Sequence, residues 1–281
     1  MSSHMQQNST DNTEQKRSGI FGSDFKMRQQ EISRIYKIDE NFDLLHREAE
    51  IGGRKVSIYS IDGFLPGDIV EKLMQFFYSI KEEDMPENLA DFISRSTPFV
   101  DIMEIKTEQD FTDNFLAGLT CMMIEGYDSI LALDLREYPG RSVEEPEKDK
   151  VLRGSRDGFI EALIPNMALI RRRIRDKNLV FKFARVGRSS RTDIAVAYMC
   201  GRVNEKDIKK VMDNINSIDV DSLAMNQESL AEMLFPGRWI NPFPKYKYTE
   251  RPDTAAASLL EGSIVILVDN SPAVMVLPTS L

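Results

Sequence analysis

The final hairpin of this chain constrains its fold more than any other stretch. Residues 264–268 and 273–277 are apolar at every position, so both faces of these strands need cover. A sheet buried on both faces belongs to a layered structure, with other elements packed above and below it. The rest of the chain supplies candidates. A short helix over residues 254–261 leads into the hairpin, and Leu230, Met233 and Leu234 mark another before it. Asn204 is a favourable N-cap for a helix that turns Ile208, Val211, Met212 and Ile215 inward and Lys206, Lys209 and Lys210 outward. Leu179, Phe181 and Phe183 alternate, as do Ile194, Val196, Tyr198 and Cys200, which reads as a further hairpin turning at residues 187–192. Before it a helix is expected over residues 156–176, with Leu163, Met167, Ile170 and Ile174 on one face. Pro165 is expected to kink or interrupt that helix.

The first half follows a similar grammar. Residues 55–61, with Val56, Ile58 and Tyr59, read as a strand stopped by Gly63 and Pro66-Gly67. Ile69, Leu73, Phe76, Phe77 and Ile80 share one helical face. A short helix over 86–95, a strand over 99–105 and a helix over 108–116 come next. Residues 120–124 and 129–135 are apolar runs joined by Glu125-Gly126-Tyr127-Asp128, a hairpin signal. No internal repeat is evident in the sequence. The expected fold class is α/β (α+β mixed): two small subdomains, each a mixed sheet with helices packed on it. They are expected at residues 42–137 and 154–281, joined by a charged Pro/Gly connector over 138–153, where Pro139-Gly140 and Pro146 interrupt a run of Glu and Lys. Residues 1–41 are expected to be a disordered or extended segment, with a cloning scar at Ser3-His4-Met5. The Gln-, Asn-, Thr- and Ser-rich stretch over 6–17 carries too little apolar surface to offset its ordering entropy.

Composition narrows the function. The 281 residues are 42% hydrophobic, enough for globular cores, and the net charge is −9. An acidic chain argues against a nucleic-acid partner, which needs Lys and Arg in clustered excess. Cys121 and Cys200 each sit inside an apolar run and read as small buried hydrophobes rather than disulfide partners or metal ligands. No uninterrupted apolar run approaches the roughly 18 residues of a membrane span. Outside the scar the only histidine is His46, on a polar segment that favours a surface role. No Ser/His/Asp or Cys/His set, Walker loop or G-x-G-x-x-G is present. Asp219-Val220-Asp221 starts like a calcium loop, but Leu223 and Ala224 stand where an oxygen ligand and Gly are needed. The expectation is a non-enzyme without cofactor or metal. Lys245-Tyr246-Lys247-Tyr248 reads as a surface strand or loop rather than a base-stacking platform.

What stands out is a set of Arg and carboxylate residues beside turn residues. Arg136, Arg141, Glu144, Glu145, Arg153, Arg156, Asp157 and Glu161 flank the connector, Arg171, Arg172 and Arg173 end the helix after it, and Glu250, Arg251 and Asp253 stand before the last helix. The arginines suit a helix C-terminus electrostatically. An Arg fork grips carboxylates bidentately and can hold irregular backbone in place. Two readings follow: a salt-bridged connector between subdomains, or an interface to another subunit or to a membrane portion.

The same segments carry a resemblance. Arg136-Glu137-Tyr138-Pro139-Gly140-Arg141-Ser142, Glu144-Glu145-Pro146-Glu147, Arg153-Gly154-Ser155-Arg156-Asp157-Gly158-Phe159, Asn166-Met167-Ala168-Leu169-Ile170-Arg171-Arg172-Arg173-Ile174, Thr249-Glu250-Arg251-Pro252-Asp253 and the final hairpin follow one another in that order. This order is similar to the A subunits of spore germinant receptors, the GerA family, over residues 133–278. Departures are Ser155, where Pro is usual, and Asn270, where Gly is usual; Asn tolerates left-handed backbone. The resemblance implies a soluble N-terminal domain, with membrane-spanning helices expected after Leu281. It implies a place at the spore inner membrane on the cytoplasmic (core) side, beside a permease-like B subunit and a lipoprotein C subunit, with A subunits forming homo-oligomers. The leading expectation is a transducing and assembly domain that relays nutrient binding. The alternative is a small-molecule module that binds the nutrient in a cleft between the subdomains.

Overall fold

The computed structural model describes residues 19–96, 101–138, 157–223, 227–234 and 246–278. The first lobe runs α1 (Phe25–Tyr36), β1 (Leu44–Ile51), β2 (Arg54–Ile61), α2 (Gly67–Tyr78), α3 (Leu89–Ser96), β3 (Ile102–Ile105), α4 (Glu108–Leu116), β4 (Thr120–Ile124) and β5 (Ile130–Leu133). Its five strands lie in the order β1-β2-β4-β5-β3. The second lobe runs α5 (Leu163–Arg173), β6 (Leu179–Val186), β7 (Thr192–Met199), α6 (Glu205–Asn216), α7 (Gln227–Leu234), β8 (Lys247–Thr249), α8 (Pro252–Leu260), β9 (Ile264–Val268) and β10 (Val274–Leu277), with strand order β6-β7-β9-β10-β8. The fold class is the expected α/β one. Every pairing is antiparallel, so the mixing is of helices with strands, not of strand directions.

Both sheets are covered on both faces, as the last hairpin requires. In the second sheet Val265, Leu267, Val274 and Val276 pack under α5 and α8, against Met167, Ile170, Ala255 and Leu259. Ile264, Ile266, Val268 and Met275 face the other way, against Ile208 and Ile215 of α6 and Leu230 and Leu234 of α7. The first sheet is built likewise. Tyr59, Ile61, Cys121 and Met123 meet Ile32 and Tyr36 of α1 and Phe111 and Phe115 of α4. Val56, Met122, Ile124 and Leu131 meet Phe77 of α2 and Phe92 of α3. The period of two along each strand sends alternate side chains to opposite helical layers.

The lobes are thus one unit used twice, a repeat that the sequence hides. Element order, strand order and helix placement coincide. From α4 and α8 onward the match is residue by residue at one constant offset: nine-residue helices, a glycine with positive φ (Gly118 at 98°, Gly262 at 93°), five-residue strands, then a second positive-φ residue (Gly126 at 88°, Asn270 at 62°). The register agrees too, since Val56 pairs with Ile124 where Ile194 pairs with Val268. Apolar side chains of similar size are interchangeable in a core, so the pattern persists while residue identities drift.

Two expectations are corrected. The segment over residues 1–41 is not disordered or extended where it is described. From residue 19 it is helical, and Ile20, Ile32 and Tyr36 are buried in the first core. The Asp24 side chain accepts the Met27 amide at 2.7 Å and starts α1 as an N-cap. Residues 1–18 lie outside the described residues. The helix expected over 156–176 spans only Leu163–Arg173, and Pro165 neither kinks nor interrupts it. Pro165 stands in the first turn, where backbone N–H groups have no intrahelical acceptor to lose. The connector expected over 138–153 is outside the described residues from 139 on. In the Lys-Tyr run, Lys247–Thr249 is an edge strand, as one reading held, while Lys245 is outside.

Candidate functional site, an arginine clamp between two lobes

Helix α5 belongs by topology to the second lobe, yet it is buried on nearly every side. Met167, Leu169 and Ile170 face the second core, while Ala168 packs in the first. Gly63, just past β2, lets this helix come close: a Cβ there would stand 3.0 Å from Ala168 Cβ and 3.1 Å from Ile164 Cγ2. Three consecutive arginines close the helix, and each grips a different part of the molecule.

Arg171 reaches into the first lobe. Its Nε and Nη2 donate to the two carboxylate oxygens of Asp43 at 2.7 and 2.9 Å. Nη1 donates to the Asp176 carbonyl at 3.2 Å and Nη2 to that of Leu179 at 3.1 Å, and the guanidinium lies over Phe181. The side chains are 0% and 1% exposed, so the pair is out of water. Beside it Asn41 donates to the Leu179 carbonyl at 3.0 Å and accepts the Phe181 amide at 2.9 Å, and the Phe42 amide bonds the Phe181 carbonyl at 2.8 Å. The chain entering β1 thereby pairs with the edge of β6. Phe42 stacks on Phe183 at 4.5 Å.

Arg172 lies 4.6 Å over the Tyr138 ring, where the chain leaves the first lobe. Arg136 holds that exit from the other side, bidentate to Asp134 at 2.7 and 2.5 Å and bonded to the Tyr138 hydroxyl at 3.1 Å. These hydrogen bonds hold the Asp134 carboxyl below the usual carboxylate range. Arg173 donates to Asp157 at 2.7 Å and to the Leu169 carbonyl at 2.8 Å. Arg251 grips Asp253 with both Nε and Nη2 and, with a further contribution from Arg173, depresses its pKa. Glu250 accepts the Phe159 amide, and Glu161 the Asn270 amide, through backbone carbonyls.

The expected site residues therefore separate into three groups. Arg136 and Arg172 meet at Tyr138; Arg173, Asp157, Arg251 and Asp253 form one cluster in the second lobe; Arg171 crosses between lobes. Arg141, Glu144, Glu145, Arg153 and Arg156 lie outside the described residues. Sequence reasoning missed Asp43, Asn41 and the role of Tyr138. The only sequence trace of Asp43 is a charge between Phe42 and Leu44, where an apolar residue would be ordinary. His46 is half-buried rather than on the surface, stacked on Tyr59 with Nε2 3.2 Å from Ser57 Oγ. Among the described residues no group of three His, Cys, Asp or Glu could hold a metal, and no helix is long and apolar enough to cross a membrane. A groove of about 870 Å³ opens where Lys37 and Glu40 approach Asn178, Cys200, Gly201 and α6.

These features define a two-lobed α/β repeat domain whose halves are clasped by a buried ion pair. The model of the Bacillus/Clostridium GerA spore germination protein family matches residues 30–281. Stage V sporulation protein AF of Bacillus subtilis is 37% identical over 243 residues, which cover 86% of this chain and 49% of that protein. Spore germination protein KA of the same organism is 28% identical over 246 residues, covering 86% and 45%. The chain thus spans about half the length of these relatives. The crystal structure of the N-terminal domain of the A subunit of the Bacillus megaterium spore germinant receptor GerK3 superposes with a TM-score of 0.67, at 22% identity and over 92% of this chain and 96% of that one. The chain belongs to the GerA spore germination family, and it has the fold of that N-terminal domain.

Proposed function

We propose that this chain is the N-terminal relay and assembly domain of a germinant receptor A subunit. In this reading it sits at the spore inner membrane on the cytoplasmic side and works with B and C subunits and with further A subunits. The observation that carries the reading is the Arg171–Asp43 pair, a desolvated link between the two lobes. Two lobes joined at a buried polar contact have discrete arrangements rather than a continuum, because a half-broken pair leaves a charge in a dry interior. A partner that pulls on one lobe is then felt by the other. The nearby Arg173–Asp157 pair is partly exposed, and it joins α5 to the chain that enters the second lobe. Asp157→Arg should abolish the nutrient response of spores while the isolated domain keeps its melting temperature. An unaltered response would sink the relay reading.

The second reading, a nutrient-binding module, draws on the 870 Å³ groove between Lys37, Glu40 and the second lobe. Calorimetric titration of amino acids and sugars into the domain tests it, and an absence of heat across them counts against it.

A further inference from the structure

The repeat supplies an internal comparison, because the same end of each lobe can be set side by side. That end gathers the start of the first strand, the end of the second, the start of the fourth and the end of the fifth. In the first lobe it is covered. The Asp62 amide donates to the Asp43 carbonyl at 2.8 Å, Gly63 follows with φ 80°, and α5 lies directly on Gly63, with Arg171 on Asp43. The chain leaving β5 runs back over the same end: the Glu137 amide bonds the Phe64 carbonyl at 2.8 Å, and Tyr138 packs on Phe64.

Among the described residues, the second lobe repeats the platform without the cover. The Cys200 amide donates to the Asn178 carbonyl at 2.8 Å, and Gly201 follows with φ 79°. Arg202 then takes the place of Phe64, against Gly262 where Phe64 stands against Gly118. Among the described residues, a Cβ on Gly201 would meet nothing within 4 Å. Asn178, Cys200 and Gly201 instead line the groove, together with Lys182, Lys206 and Lys209. A positive-φ glycine is needed here for the turn itself. Its bare surface is what distinguishes this end from its twin.

We propose that this platform seats a helix, supplied by the part of a longer subunit that follows β10, as α5 follows β5. Three observations select that occupant. The strand that leads out of the second lobe, β10, ends at this platform, because Leu277 pairs with Ile264. The relatives are about twice this length, and the chain matches an N-terminal domain over 96% of it. The groove around Asn178 is positive on balance in an acidic chain, with Lys37, Lys182, Lys206 and Lys209 against Glu40 and Glu205, where the first lobe offers Asp43 to an arginine. The seated helix therefore presents a small side chain to Gly201 and, three residues on, a carboxylate or amide in the place that Arg171 takes on the first lobe. Such a contact would make the second lobe the element that hands movement on to the remainder of the subunit. The inference rests on the reading of this chain as an A-subunit N-terminal domain.

Cys200 is a native probe of the platform, since Cys121 is fully buried and Cys200 is partly exposed in the groove. Fluorescein maleimide is applied to the 281-residue chain and to the full-length subunit in membranes, and adduct formation at Cys200 is followed by mass spectrometry. Labelling should be at least about tenfold slower in the full-length subunit, because a seated helix limits thiolate access. Gly201→Asn, which keeps left-handed backbone but adds a side chain at the seat, should restore most of the rate in the full-length protein. Equal labelling of the short and long chains overturns the proposal. So does protection of the short chain by a mixture of L-amino acids and glucose, which would assign the groove to a nutrient. Either outcome leaves the relay reading standing, because the Asp157→Arg response tests that reading separately.

Discussion

Replacing Asp43 with alanine strands the Arg171 guanidinium in a dry interface. Arg171 makes four hydrogen bonds, two of them to the Asp43 carboxylate, and neither side chain has meaningful contact with water. Removing one partner of a buried ion pair costs about 3–5 kcal/mol, because the remaining charge stays buried without compensation. Against a typical folding stability of about 5–15 kcal/mol that is a large fraction, and it corresponds to a fall in Tm of roughly 10 °C for a chain of this size. Arg171→Met should cost a similar amount, since it leaves the Asp43 carboxylate buried without its partner. The double variant Asp43→Leu with Arg171→Met should be much less unstable than the sum, because an apolar pair of similar volume can replace a buried ion pair. Urea denaturation of the wild type, Asp43→Leu, Arg171→Met and the double variant that combines these two substitutions gives the cycle directly. A cost below about 1 kcal/mol for Asp43→Ala, or strictly additive single variants, would refute the reasoning, because surface pairs behave that way.

Three further outcomes are expected. Gly63→Ala should destabilise the chain by about 1–3 kcal/mol through both backbone strain and collision with Ala168; Gly201→Ala, with the same φ but open space, should cost less, and the difference in urea midpoint measures the close approach of α5. Asn270→Ala should cost about 1 kcal/mol in chemical denaturation while Asn270→Gly is neutral or stabilising, since φ is 62° there. Burial holds the His46 pKa below its ordinary 6.5, against the opposing pull of Glu48 and Asp39. The neutral ring is thus the folded form. Its contribution is complete above the unfolded value and is lost as pH falls toward the lowered folded one, so unfolding curves from about pH 7.5 to about pH 5 should show a decline that His46→Gln flattens.

Most strands and most helices were legible because their apolar residues recur at periods of two or of three and four. The strands of the final hairpin announced their double cover by carrying no polar residue, and Asn270 between them took the left-handed backbone its position requires. Four things were not legible. Strand β1 carries His46, Arg47, Glu48 and Glu50, so no regular apolar alternation marks it. Helix α1 hides because only Ile32, Ile35 and Tyr36 punctuate its last two turns among Gln, Arg and Glu, and its burial depends on strands far along the chain. The repeat is invisible because geometry, not identity, is what the two cores share. The destinations of Arg171, Arg172 and Arg173 could not be read because three adjacent side chains on a helix point about 100° apart. Their partners Asp43, Tyr138 and Asp157 are scattered through the sequence. An arginine run at a helix end looks the same whether it faces solvent or a buried carboxylate.

The central claim is that signalling passes through the buried link between the lobes. The most direct measurement is the nutrient response of spores whose full-length subunit carries Asp43→Asn, which keeps the shape of the side chain and removes its charge. Immunoblotting of the spore membranes establishes that the subunit is present. The account predicts that germination through this receptor is lost or severely slowed at normal subunit level. A normal response, with the isolated domain shown by denaturation to have lost the Arg171 interaction, would contradict it.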